Sequence, residues 1–128
     1  MAFAKSYAVA FTTDASGDVT VQTGASCNGR VQEVVYTYDD ALTGADFTIT
    51  GNTTGKALLT ITNAGTSTVT WRPRGVSHTV AETGAGTAVT FDGTNEIYDP
   101  IWVVDEEIKV VVANGGNAKA GTLTFIVG

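Results

Sequence analysis

The sequence predicts a single small antiparallel β-sandwich or barrel, all-β and jelly-roll-like, with about eight strands. Three observations lead there. Threonine is the commonest residue and there are 15 glycines, while charged residues make up only 16% and Leu, Glu, Lys and Met are scarce, so propensity favours strands and turns over helices. Apolar and polar residues alternate over short runs, which is the period of a half-buried strand. Those runs are separated at close intervals by clusters of Gly, Asp, Asn and Ser.

The clearest signal is in the C-terminal third. Residues 107–113 and 122–127 are β-branched and apolar, and the segment 114–121 between them is polar and glycine-rich, the pattern of a β-hairpin. Ile108, Val110 and Val112 share one face, as do Leu123, Phe125 and Val127. Two full apolar rows need cover, so this hairpin is expected to be the inner layer of the fold.

From the start of the chain, Tyr7, Val9 and Phe11 alternate with small or polar residues and predict a strand over 5–12. Residues 14–18 make a turn, 19–23 a short strand, and 30–38 a longer one. In that longer strand Val31 and Val35 would face one way, and Val34, Tyr36 and Tyr38 the other, which suits a central position. An acidic turn at 39–44 leads to a second hairpin, 46–50 and 56–62, in which Phe47 and Ile49 face Leu59 and Ile61. This pair is expected in the middle of the sheet system. Residues 68–74, TVTWRPR, read as a strand with Val69 and Trp71 inward, which Pro73 ends or confines to an edge because it has no N–H for the ladder. Short strands are expected near 76–80 and 87–91, joined by a loop at 82–86.

A chain of 128 residues is large enough for one core, and no linker or repeat divides it, so 1–128 is expected to be one domain with residues 1–5 as a possible N-terminal arm. A net charge of −6 argues against nucleic acid, whose binders cluster Lys and Arg. No run approaches the ~20 apolar residues of a membrane helix, so no membrane partner is expected. Cys27 is the sole cysteine and is expected to be a buried, inert thiol, in keeping with synthesis in a cytoplasm.

Chemistry is sparse, and no enzyme, cofactor or metal is expected. His78 stands in no recognisable nucleophile context. The acidic clusters Asp39-Asp40 and Asp105-Glu106-Glu107 are expected to be solvated, since adjacent strand residues point to opposite faces. The loop Asp92-Gly-Thr-Asn-Glu96 holds the carboxylates a calcium site would use, but reads first as an Asp-Gly turn. Gly84-Ala-Gly86 and Gly115-Gly116 open no helix and so read as turns. Trp71, Trp102, Tyr36, Tyr38 and Tyr98 either fill the core or make a sugar-stacking platform; the core is the expectation, and Tyr98 and Trp102, flanking Pro100, fit it least well. Asn52-Thr-Thr is formally a glycosylation acceptor, expected to stay unmodified.

The succession FTTDASGDVTVQTG, GRVQEVVYTYDD, DFTIT, an Arg-Pro-Arg followed by a His-containing TGAG segment, and IKVVVANGGNAKAGTLTFIVG resembles a family of small bacteriophage virion structural proteins. The resemblance implies a capsid decoration, or cement, protein. Such a protein sits on the outer capsid surface of the virion, commonly as a homotrimer, binds the major capsid protein lattice, and is synthesised in the host cytoplasm. The alternative is a tail- or fibre-associated adhesion or carbohydrate-binding domain. Candidate contact residues are Phe3 in the arm and the cationic pair Arg72 and Arg74, for which Asp99, Asp105 and Glu106 are the internal carboxylates that could compete.

Overall fold

The computed structural model describes residues 4–39, 42, 44–64, 67–78 and 86–128. Among these, ten strands form two antiparallel sheets packed as a sandwich, not a closed barrel. The strands are β1 (Lys5–Thr12), β2 (Val19–Gln22), β3 (Cys27–Tyr38), β4 (Ala45–Gly51) and β5 (Ala57–Ala64), then β6 (Val69–Trp71), β7 (Arg74–Val76), β8 (Tyr98–Glu106), β9 (Ile108–Ala113) and β10 (Ala120–Val127). The larger sheet runs β1-β10-β3-β8-β7, with β6 also paired to β3, and the smaller runs β2-β9-β4-β5.

The expected C-terminal hairpin is not formed: β9 lies in the smaller sheet and β10 in the larger. The reason is the pair of apolar rows. Ile108, Val110, Val112, Leu123, Phe125 and Val127 are all essentially fully buried. Placed in separate sheets, the two rows cover each other across the core, whereas a hairpin would have left both on one side of one sheet. The crossing loop uses positive φ at Asn114, Gly116 and Ala118. Buried Thr13 pins it: its hydroxyl donates to Gly116 O at 2.6 Å and accepts from Lys119 N–H at 2.8 Å.

β3 is central as expected, but its faces differ from simple alternation. Val31 pairs with Val127 and Glu33 with Ile126, so Gln32 is an extra, bulged residue. The bulge returns Val31 to the inward face beside Val34 and Tyr36, all three fully buried, while Val35 turns outward and Tyr38 lies exposed near the strand end. The β4–β5 hairpin has the expected partners, Phe47 with Ile61 and Ile49 with Leu59. It is not in the middle, however. The other side of β4 takes β9, pairing Phe47 with Val112, which leaves β5 as an edge with Leu59 and Ile61 only half-buried.

Pro73 divides the expected strand 68–74 in two. β6 pairs with β3, and after the proline the chain steps outward so that β7 pairs with β8. β8 itself was not expected, because Pro100 interrupts its pattern; the β3 ladder begins only at Ile101, so the missing N–H falls where it costs least. Of the strands expected at 76–80 and 87–91, the described residues form only β7 and two isolated bridges, His78 with Ala88 and Thr90 with Glu96; residues 79–85 lie outside the described residues.

An aromatic cluster fills the core between the sheets. Phe47 meets Phe11 edge-on at 5.8 Å between ring centroids and Tyr36 at 5.3 Å, and Trp71 stacks on Tyr36 at 6.1 Å. Gly121 faces this cluster on β10. A Cβ there would sit 2.8 Å from the Phe11 ring and 3.0 Å from the Tyr36 ring, so only glycine lets both rings approach the strand.

Candidate interaction surface

The strand alternation of β8 decides which of its side chains are available. Ile101 and Val103 point into the core, whereas Tyr98, Pro100, Trp102 and Val104 form an outward row on the larger sheet. Tyr98 is 57% exposed, Trp102 54% and Val104 69%. Large apolar groups on a sheet face that has no layer above it forgo roughly 25 cal/mol for each Å² left in water. Such a row is the usual mark of a surface that something else covers.

The chain's three arginines border the row. Arg30 of β3 is the cross-strand neighbour of Trp102, and its guanidinium lies 5.8 Å from the indole centroid in a cation–π contact. Arg74 of β7 is opposite Pro100. Arg72, between β6 and β7, makes an ion pair with Glu33 of β3, with Nη2 at 3.1 Å and Nε at 3.2 Å from one carboxylate oxygen. The Arg74 guanidinium donates to Pro73 O at 2.6 Å and reaches the carbonyl of the bulged Gln32 at 3.5 Å. Both members of the expected pair are therefore exposed and adjacent, but the carboxylate that engages Arg72 is Glu33, not Asp99, Asp105 or Glu106. Of those three, Asp99 accepts from the Ser77 hydroxyl. Below the row, Lys56 Nζ donates to Trp102 O at 2.7 Å and caps a carbonyl on the outer edge of β8. Phe3 lies outside the described residues.

The core expectation holds for Tyr36 and Trp71 and fails for Tyr38, Tyr98 and Trp102, which are 40% or more exposed. The last two escaped it because their strand was not recognised, so its alternation was not applied. Their spacing at every second residue from Tyr98 to Val104 was the available signal.

The expectation of solvated carboxylates fails at Glu106. A second bulge sets Asn28 against the two residues Val104 and Asp105, with Asp105 at φ +50°, and this turns Glu106 inward. Glu106 is 4% exposed and accepts hydrogen bonds from Thr53 N–H (3.0 Å), Thr54 N–H (3.1 Å) and the Thr54 hydroxyl (3.0 Å). These bonds, that of the Thr54 N–H foremost, hold its carboxyl below the usual range against the opposing effect of burial. It is a latch for the turn at 51–55.

The Asp92 loop forms the expected turn. Asp92 Oδ1 accepts from Thr94 N–H (2.9 Å) and Asn95 N–H (2.6 Å), and Oδ2 from the Asn95 amide (2.6 Å), which keeps this carboxyl low as well. Among the described residues no group of three or more His, Cys, Asp or Glu is placed to hold a metal ion. Cys27 is fully buried, and burial pushes its thiol up, away from the reactive thiolate. His78 is exposed. An open groove of about 290 Å³ runs between β5 and β6, lined by Tyr36, Ile61, Val69 and Trp71.

No protein-family model, curated protein or solved structure matches the chain.

Proposed function

We propose that the chain is a phage capsid decoration, or cement, protein that binds the outside of the assembled head and stabilises contacts between major capsid subunits. The observation that carries the reading is the outward row Tyr98, Trp102 and Val104 with Arg30, Arg72 and Arg74 beside it. Tryptophan, tyrosine and arginine are the side chains that dominate binding energy at protein interfaces. Tyr98, Trp102, Val104, Arg30 and Arg74 stand on paired strands, so little ordering cost is added on binding. The arginines would engage capsid carboxylates in bidentate fashion while the aromatic rings are desolvated. The resemblance of the sequence to small virion proteins supports the same reading. A surface that binds by shape and charge needs no reaction centre.

Co-sedimentation with heads assembled from the major capsid protein of the same phage is the test. Wild-type protein should sediment with the shells, and Trp102→Ala should weaken attachment by roughly 30-fold or more, the equivalent of about 2 kcal/mol, without lowering Tm. Wild-type protein that stays in the supernatant would sink the proposal. The exposed Trp102 and Tyr98 rings also suit stacking on a sugar ring, the second reading. Glycan-array binding lost in Trp102→Ala, with no attachment to shells, would favour an adhesion domain.

A further inference from the structure

Among the described residues five strands border the two sheets, and four are blunted against further pairing. β2 is four residues long, β5 has two register shifts against β4, β6 is three residues long and stops short of Pro73, and β7 is three residues long and follows it. β1 is different. Its eight residues pair with β10 in unbroken register from Lys5 with Val127 to Thr12 with Ala120, and it contains no proline, no bulge and no charge beyond Lys5.

The direction of its unpaired groups follows from one bond. Thr13 N–H donates to Lys119 O at 2.8 Å, one step beyond the Thr12–Ala120 pair. Bonds in an antiparallel ladder fall on alternate residues, so Phe11, Val9 and Tyr7 bond to β10, and the N–H and C=O groups of Ser6, Ala8, Ala10 and Thr12 point away from it. Their side chains are all small and exposed.

We infer that two copies of the chain pair antiparallel through β1 about a two-fold axis at Val9, joining their larger sheets into one. In that register Ala8 faces Ala10 of the second copy and Ser6 faces Thr12, so every outward group of the strand is used and no large side chain obstructs it. The contact is self-complementary, as two-fold symmetry requires. Charge fits as well. Lys5 falls opposite Thr13 of the second copy, next to Asp14; Lys5 has no ion pair among the described residues, and both residues are exposed. The second copy also covers the open side of the sandwich, where Tyr7 of β1 and Val19 and Val21 of β2 pack on the core but remain only half-buried. The inference does not rest on the capsid reading. A protein that binds shells as a monomer or as a trimer with an open β1 edge would overturn the pairing and leave that reading intact.

Two measurements on the purified full chain decide it. Sedimentation equilibrium from micromolar to millimolar concentration should show a monomer–dimer equilibrium. Amide hydrogen exchange should show Ser6, Ala8, Ala10 and Thr12 protected at high concentration and exposed at low. Ala8→Pro removes an outward N–H while leaving the β10 ladder intact, and should raise the dimer dissociation constant at least about tenfold with the circular dichroism spectrum unchanged. Lys5→Glu should weaken the dimer most at low salt. A monomer at every concentration, a trimer in which the four amides exchange freely, or a dimer indifferent to Ala8→Pro would each overturn the pairing. Should Ala8→Pro not fold, the wild-type exchange rates decide alone.

Discussion

Tyr36 is the largest fully buried side chain of the core, and its hydroxyl has no hydrogen-bond partner among the described residues. Tyr36→Phe should therefore stabilise the protein. An unpartnered buried hydroxyl costs about 1–3 kcal/mol relative to water, and removing the oxygen leaves a void of ~15 Å³, worth ~0.4 kcal/mol at ~24 cal/mol per Å³. The net gain is about 1 kcal/mol or somewhat more, which in a domain of this size raises Tm by about 4 °C. The variant should also respond differently to alkali. Burial first, and then the charges of Asp39 and Tyr38, push the Tyr36 phenol up to about 12 from a usual value of 10.0. Between those values the unfolded chain releases a proton that the folded one retains, so unfolding gains on folding as pH rises. The contribution of the neutral phenol is complete below pH ~10 and lost as pH climbs through ~12, and the phenylalanine variant has no such loss. Urea unfolding of both proteins at neutral pH and across the alkaline range is the assay. A variant less stable than wild type at neutral pH, or an advantage that does not widen in alkali, would refute the reasoning.

Gly121→Ala drives a methyl group into the Phe11 and Tyr36 rings and should cost about 1–3 kcal/mol by urea midpoint; an unchanged midpoint would show that the rings can retreat. Glu106→Gln should speed hydrogen exchange at the Thr53 and Thr54 amides. Because the Glu106 carboxyl is held low, its stabilisation is present above its usual value of 4.5 and lost as pH falls, so the variant should show a shallower acid limb in thermal melts. The double change Arg72→Ala, Arg74→Ala removes an exposed ion pair worth at most about 1 kcal/mol, so Tm should fall by no more than about 4 °C. Attachment to shells should slow and lose salt dependence; unchanged attachment with a Tm lowered by more than about 4 °C would assign the pair to the fold.

What could be read from the sequence depended on whether the information was local. β1 was legible to both ends, 5–12, because its alternation is clean and a turn bounds it. The facing of Phe47 and Ile49 with Ile61 and Leu59 was legible because a short turn sets the register. Periodicity says which residues share a face but not which strand lies alongside, so the rows of β9 and β10 were found while their placement in opposite sheets was not. Single-residue bulges, at Gln32 of β3 and at Val104-Asp105 of β8, invert everything beyond them. They moved Val31 to the face of Tyr36 and turned Glu106 inward, and neither has a sequence marker. At the candidate surface, Arg72 and Arg74 were legible as a close cationic pair, but Glu33 lies on a distant strand that only the assembled sheet brings near.

The place of β10 has a bearing on biosynthesis. It stands between β1 and β3, and contributes Leu123, Phe125 and Val127 to the core. While residues 120–127 are still inside the ribosome, β1 and β3 have no strand to join them, and each shows an unpaired backbone edge to solvent. The larger sheet thus cannot assemble as the chain emerges but must close in a late step across nearly the whole sequence, a topology that folds slowly and is open to misassociation while it waits. A nascent chain stalled before residue 120 should be degraded readily by protease, and should become resistant only once β10 has cleared the exit tunnel.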